Sequence, residues 1–81
     1  MPKLINIFGY QLYFYSNERN EPPHVHISKD HQSNSKIWLT PEVKLAHNNA
    51  DLSDKELKKI IRWLKNNYDL VLQKWNEFFG N

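Results

Sequence analysis

From Leu57 onward, apolar residues recur at spacings of three and four: Leu57, Ile60, Ile61, Leu64, Tyr68, Val71, Leu72, Trp75, Phe78 and Phe79. At about 100° per residue they map to a stripe roughly 120° wide, the mark of an amphipathic helix with something apolar to cover. Ser53, followed three residues later by Glu56, has the capping-box pattern, and Asp54 adds a negative charge where the helix dipole favours it. Gly80 supplies a stop. The stripe keeps its phase through Asn66-Asn67-Tyr68-Asp69, which predicts one helix from Asp54 to about Phe79, nearly 40 Å long at about 1.5 Å per residue. A helical hairpin broken at Asn66-Asn67, with Asp69 capping its second arm, is the competing reading. Either way the last third of the chain is helix, and the residues before it must supply the surface it covers.

Those residues read as short strands. Lys3 to Phe8 is rich in Ile, Leu and Phe and ends at Gly9, after which Gln11-Leu12-Tyr13-Phe14-Tyr15 completes a hairpin. Ser16 to Pro23 has the composition of a loop. It delivers the chain to a strand over His24 to Lys29, and Lys36-Ile37-Trp38-Leu39 alternates as a fourth strand. Val43-Lys44-Leu45-Ala46 reads as a short edge strand or a turn-rich linker. The expected fold is therefore α+β: an antiparallel sheet of about four strands with one long C-terminal amphipathic helix across one face. The single domain, residues 1-81, divides into a β-sheet region over residues 1-46, a linker over 47-52 and a helical region over 53-80.

At 81 residues a single core only just outweighs chain entropy, and a second domain is excluded. The chain has no cysteine, so neither disulfides nor a thiolate zinc site hold it together. No stretch approaches the roughly 20 apolar residues of a membrane span, and the N-terminus lacks a signal-like apolar run, so the expected setting is cytoplasmic. A formal net charge of +2 is too small to argue for nucleic acid by itself. Three Trp, four Tyr and four Phe are abundant for this length, and aromatics serve cores, interfaces and stacking platforms alike.

The segment Glu21-Pro22-Pro23-His24-Val25-His26-Ile27 carries the most chemistry. The prolines donate no ladder hydrogen bonds and bias their neighbours to extended geometry. On a strand, His24 and His26 share one face with Ser28, while Val25 and Ile27 point to the other. If the helix covers Ile5, Ile7, Leu12, Phe14, Val25, Ile27, Ile37 and Leu39, the opposite face displays Tyr13, Tyr15, His24, His26, Lys36, Trp38 and Lys44. Such a face suits stacking of unpaired bases with phosphate contacts from lysines, or a protein interface, or simply cross-strand aromatic pairing.

Three readings of the histidine pair compete. As metal ligands they need completion from Glu21, Asp30, His31 or His47. As acid and base they cleave RNA without a metal, with Lys36 stabilising phosphate charge and Tyr13, Tyr15 or Trp38 positioning the base. As structural groups they bond to carbonyls or Tyr hydroxyls. The metal-free reading takes precedence, with no cofactor and catalytic candidates His24, His26 and Lys36. No Gly-rich phosphate loop exists, because Gly9 and Gly80 are the only glycines. On the helix, Lys55, Lys58, Lys59, Arg62 and Lys65 gather on the polar side, either as a solvated face or tracking phosphates. Trp63 and Leu70 lie on a flank of the apolar stripe, as its edge or as a second seam for a partner or a homodimer.

Together these residues resemble the small bacterial proteins grouped as domain-of-unknown-function family 4160. The likeness lies in Tyr13-Phe14-Tyr15, Asn20-Glu21-Pro22-Pro23-His24-Val25-His26, Lys36-Ile37-Trp38-Leu39 with Pro41, Leu45-Ala46, and Trp75-Asn76-Glu77-Phe78-Phe79-Gly80. One departure is the lack of glycine near Ser33-Asn34, where the resemblance implies a Gly-containing turn. It also implies a small neighbour-encoded protein as partner, in a two-gene arrangement like toxin–antitoxin modules, and supplies no catalytic residue. The reading that follows is a bacterial protein acting as the toxin-like member on RNA through the His/Tyr/Lys/Trp face. The alternative is a non-enzymatic binding module for protein or nucleic acid.

Overall fold

A computed structural model describes residues 3–14, 20–29 and 33–79. Five strands form one antiparallel sheet in sequential order: β1 (Lys3–Ile7), β2 (Tyr10–Tyr13), β3 (His24–Ser28), β4 (Asn34–Trp38) and β5 (Lys44–Asn48). Two helices follow, α1 (Asp54–Asn66) and α2 (Tyr68–Phe78). The Lys44 segment is thus a full edge strand rather than a linker, which raises the count by one over the expected four. Its pairing with β4 is irregular between Lys36 and Ile37, where a bulge lets Ile37 face Leu45.

The hairpin joining β1 and β2 is closed by Phe8 and Gly9 alone, because Ile7 pairs with Tyr10. Both loop residues have positive φ, 51° and 84°, as a type I′ turn requires. Glycine takes that geometry without strain; phenylalanine does not.

Alternation along the strands sends Leu12, Val25, Ile27, Ile37 and Leu39 to one face, where they are buried with Phe14 against Leu52, Ile60, Leu64, Val71 and Trp75. Each aliphatic side chain so enclosed contributes about 1.5–3 kcal/mol relative to exposure. The capping box forms as its sequence indicates: the Glu56 amide donates to Ser53 Oγ at 3.1 Å, and the Ser53 amide donates to Glu56 Oε1 at 2.9 Å. Glu56 also accepts from the Tyr10 hydroxyl and pairs with Lys29 at 3.2 Å, so one carboxylate ties the helix start to β2 and to the residue that follows β3.

The expected single long helix is interrupted by one residue, Asn67, at φ −119° and ψ 26°. Its backbone amide and its side-chain amide both donate to the Trp63 carbonyl, at 3.0 and 2.9 Å. Helical bonding resumes at once, with the Val71 amide donating to Asn67 at 3.0 Å. That explains why the apolar phase runs through the break without a slip. Asn67, not Asp69, is the residue preceding α2, and it makes no side-chain cap. Among the described residues no helix is long and apolar enough to cross a membrane.

Candidate functional site

The face opposite the core is organised by register. Tyr13 pairs with His26, His26 with Lys36, and Lys36 with His47, giving one row across β2 to β5. A second row runs from His24 to Trp38 to Lys44. Thus the structure brings together Tyr13, His24, His26, Lys36 and Trp38, as alternation along the strands predicts. Tyr15, Asp30 and His31, also candidates, lie outside the described residues.

This face is not open, contrary to the expectation from sequence. His24 is 0% exposed, His26 4% and Tyr13 5%, whereas Lys36 and Trp38 are half-buried. Trp75 on α2 accounts for some of the difference. Its ring lies 5.2 Å from that of Phe14 on the core side and 5.1 Å from that of His24 on the other. The indole thus contacts residues that strand alternation assigns to opposite faces. The sequence pattern counted Trp75 as one more member of the core stripe and gave no sign of its second contact.

Each imidazole is fixed through Nδ1. In His24 that nitrogen donates to the Pro22 carbonyl at 2.8 Å, and in His26 to Asn34 Oδ1 at 3.0 Å. Carbonyl oxygens only accept, so both Nδ1 atoms carry the proton. The rings meet edge to face at 5.1 Å, with His26 stacked on Tyr13 at 5.8 Å and His24 edge-on to Trp38 at 5.4 Å. Pro22 therefore does more than stiffen the approach to β3: its carbonyl sets the orientation of the first histidine. Among the described residues no buried side-chain polar atom lacks a partner.

Lys36 is also engaged. Its ammonium pairs with Glu21 and sits 4.4 Å from the centroid of the Trp38 ring. Glu21, a metal-ligand candidate on sequence, thus serves here as the counter-ion of a catalytic candidate. His47 lies two strands from His26, about 10 Å at sheet spacing, with Lys36 between them. No cluster of three metal-ligating side chains forms among the described residues.

Two clefts border these elements. One, of about 280 Å³, is lined by Pro22, Trp38, Thr40, Pro41, Glu42 and Lys44. The other, of about 520 Å³, lies between the Phe8-Gly9 turn and the basic side of α1, and Trp63 lines it. Trp63 and Leu70 also line one small notch with Ile5, so the two flank residues border the same surface feature. Trp38 and Trp63, both binding candidates on sequence, belong to different clefts. Phe8 was missed in that reading; its signal was a bulky residue placed directly before Gly9 in a two-residue hairpin loop.

The arrangement defines a small α+β domain whose His24 and His26 are packed into the sheet and whose accessible aromatic and cationic groups flank clefts. A family model described as "Domain of unknown function (DUF4160)" matches residues 9–76, and the chain belongs to that family. No curated protein and no solved structure matches it.

Proposed function

We propose that this protein acts in the bacterial cytoplasm by binding a partner protein, as the non-enzymatic member of a two-gene module of the toxin–antitoxin kind. One observation favours it over the ribonuclease alternative: His24 is fully buried and both imidazoles are held through Nδ1 by neighbouring oxygens. The ribonuclease alternative asks His24 and His26 to exchange protons with RNA, and a general acid or base must come within hydrogen-bond reach of the proton it moves. Rings enclosed by Trp75, Trp38 and Tyr13 serve instead to stiffen the sheet.

The binding surface in this proposal is the Trp38 cleft. Pro22 and Pro41 give it rigid walls, Trp38 supplies a half-buried ring, and Lys44 adds a cation at the rim. With Glu42 also lining the cleft, the charges are mixed, so the rigid aromatic wall suits a partner segment with an apolar anchor flanked by polar groups, because Trp is enriched among residues that dominate binding energy. The small neighbour-encoded protein that the family resemblance implies is the partner to test.

Co-expression with that protein, followed by size-exclusion chromatography and calorimetry, is expected to give a stoichiometric complex. Trp38→Ala should weaken it about 30-fold or more, the equivalent of about 2 kcal/mol for a dominant interface residue. Purified chain incubated with single-stranded RNA should leave it intact. RNA cleavage that disappears in His24→Gln and His26→Gln would instead establish the ribonuclease.

A further inference from the structure

The second cleft has a composition the first lacks. It is lined by Lys55, Lys58, Lys59 and Arg62 with Phe8 and Trp63, and among the described residues no carboxylate borders it. The four cations stand at positions i, i+3, i+4 and i+7 of α1, on one helical face. Like charges at these spacings disfavour the helix, so the sequence keeps the stripe against a local cost. Glu56, the carboxylate nearest in sequence to several of them, is occupied elsewhere by Ser53, Lys29 and Tyr10.

Phe8 sharpens the case. It sits at φ 51°, where a bulky residue is strained and Asn or Gly is favoured, and it is 49% exposed, so burial does not account for its presence. Strain held at an exposed aromatic points to use rather than packing. The ring is already in contact with one cation, Lys59 Nζ at 4.5 Å from its centroid. A two-residue turn also fixes the backbone that carries the ring, which lowers the ordering cost of a stacking partner.

We propose that this cleft binds single-stranded nucleic acid, a base stacking on Phe8 beside Trp63 while Lys55, Lys58, Lys59 and Arg62 hold the flanking phosphates. Sequence-tolerant single-strand sites combine these two elements, a cationic groove and an aromatic face. A duplex offers the phosphates but keeps its base faces stacked inside. An anionic membrane surface offers phosphates to a basic helix too, yet it calls for a broad apolar face beside the cations, whereas this cleft is concave and presents an aromatic ring among them. The four cations span about 10 Å of helix, which suits a few nucleotides. The site shares no residue with the Trp38 cleft, so it stands or falls independently of the partner-protein reading.

The test is fluorescence anisotropy of the full chain with labelled single-stranded RNA and DNA of equal length and mixed sequence, over a salt series. Binding should weaken with salt with a log–log slope approaching about −2.8, four phosphates at about 0.7 each for single strands. Lys58→Gln with Arg62→Gln should reduce that slope by about 1.4. Phe8→Asn creates an Asn-Gly turn, so it should raise the melting temperature while weakening binding about tenfold. A preference for RNA over DNA would narrow the ligand to RNA, and equal binding would keep it general. Absence of binding at low salt, unchanged affinity in Phe8→Asn, or capture by phosphatidylglycerol vesicles without binding to either oligonucleotide would overturn the proposal.

Discussion

The ring of Trp75 lies 5.1 Å from that of His24, at an interplanar angle of 56°. This contact joins α2 to the histidine row, and Phe14, at 5.2 Å from the same indole, joins it to the core. One side chain therefore links two faces of a sheet that alternation alone would keep apart. Loss of the indole should be felt on both. Trp75→Ala is expected to cost about 3–5 kcal/mol, as for other large aromatic truncations in cores. At about 4–8 °C per kcal/mol for a domain of this size, the melting temperature should fall by at least about 12 °C, or the chain should not fold cooperatively. Circular dichroism melting checks this. A shift of only a few degrees would show that Trp75 is peripheral and the histidine row accessible.

Asn48 holds the passage from β5 to α1. Its Oδ1 accepts from Ser35 Oγ at 2.7 Å and from the Leu52 amide at 2.9 Å, while its Nδ2 donates to the Leu52 carbonyl at 2.8 Å. Ser35 Oγ, fully buried, accepts in turn from the Ala50 amide at 3.2 Å. Asn48→Ala leaves several of these groups unpaired, each costing about 1–3 kcal/mol where water cannot reach. Chemical denaturation should register a loss of at least about 2 kcal/mol with an unchanged m-value. Asn48→Asp keeps the acceptor but not the donor, so it should fall between the wild type and the alanine variant.

The Lys36–Glu21 pair should matter much less. Glu21 is well exposed at its side chain, 38%, and an ion pair open to solvent on one side contributes about 0–1 kcal/mol. Lys36→Met keeps the alkyl stem against Trp38 and removes the charge. Its expected effect on stability is under about 1 kcal/mol, and it should shrink further in high salt. A loss of several kcal/mol would mean that Lys36 is a buried structural cation.

What the chain spells out locally is legible in advance. The capping box at Ser53 and Glu56, the turn at Gly9 and the sharing of one face by His24 and His26 each depend on residues a few positions apart. The break at Asn67 was harder to place, because a one-residue interruption that preserves helical bonding on both sides leaves the apolar phase intact. The burial of His24 was not legible at all. The ring of Trp75, some fifty positions away in sequence, packs against that imidazole together with those of His26 and Trp38, and a periodicity argument sees only that Trp75 belongs to an apolar stripe. The same limit hid Phe8, whose cleft exists only because α1 lays its cations beside the first hairpin.

Glu56 offers the clearest separation of a local role from a tertiary one. In the capping box it serves the Ser53 amide, and beyond the helix it accepts from Tyr10 and pairs with Lys29. Ser53→Ala removes the side-chain cap alone and should cost about 1 kcal/mol. Glu56→Ala removes the reciprocal half of the box together with both strand contacts, so it should cost clearly more, about 2 kcal/mol or above, since hydrogen bonds to charged groups contribute about 1.5–3 kcal/mol. The carboxylate accepts from the Ser53 amide through Oε1 and from the Tyr10 hydroxyl through Oε2. Glu56→Gln has one oxygen for the Ser53 amide and turns an N–H donor toward the Tyr10 oxygen, while losing the attraction to Lys29, which is exposed, so it should recover part of the difference. Denaturant titrations of the three variants set the order directly. If Ser53→Ala and Glu56→Ala prove equal, Glu56 does nothing beyond the cap, and the attachment of α1 to β2 and β3 rests on apolar packing alone.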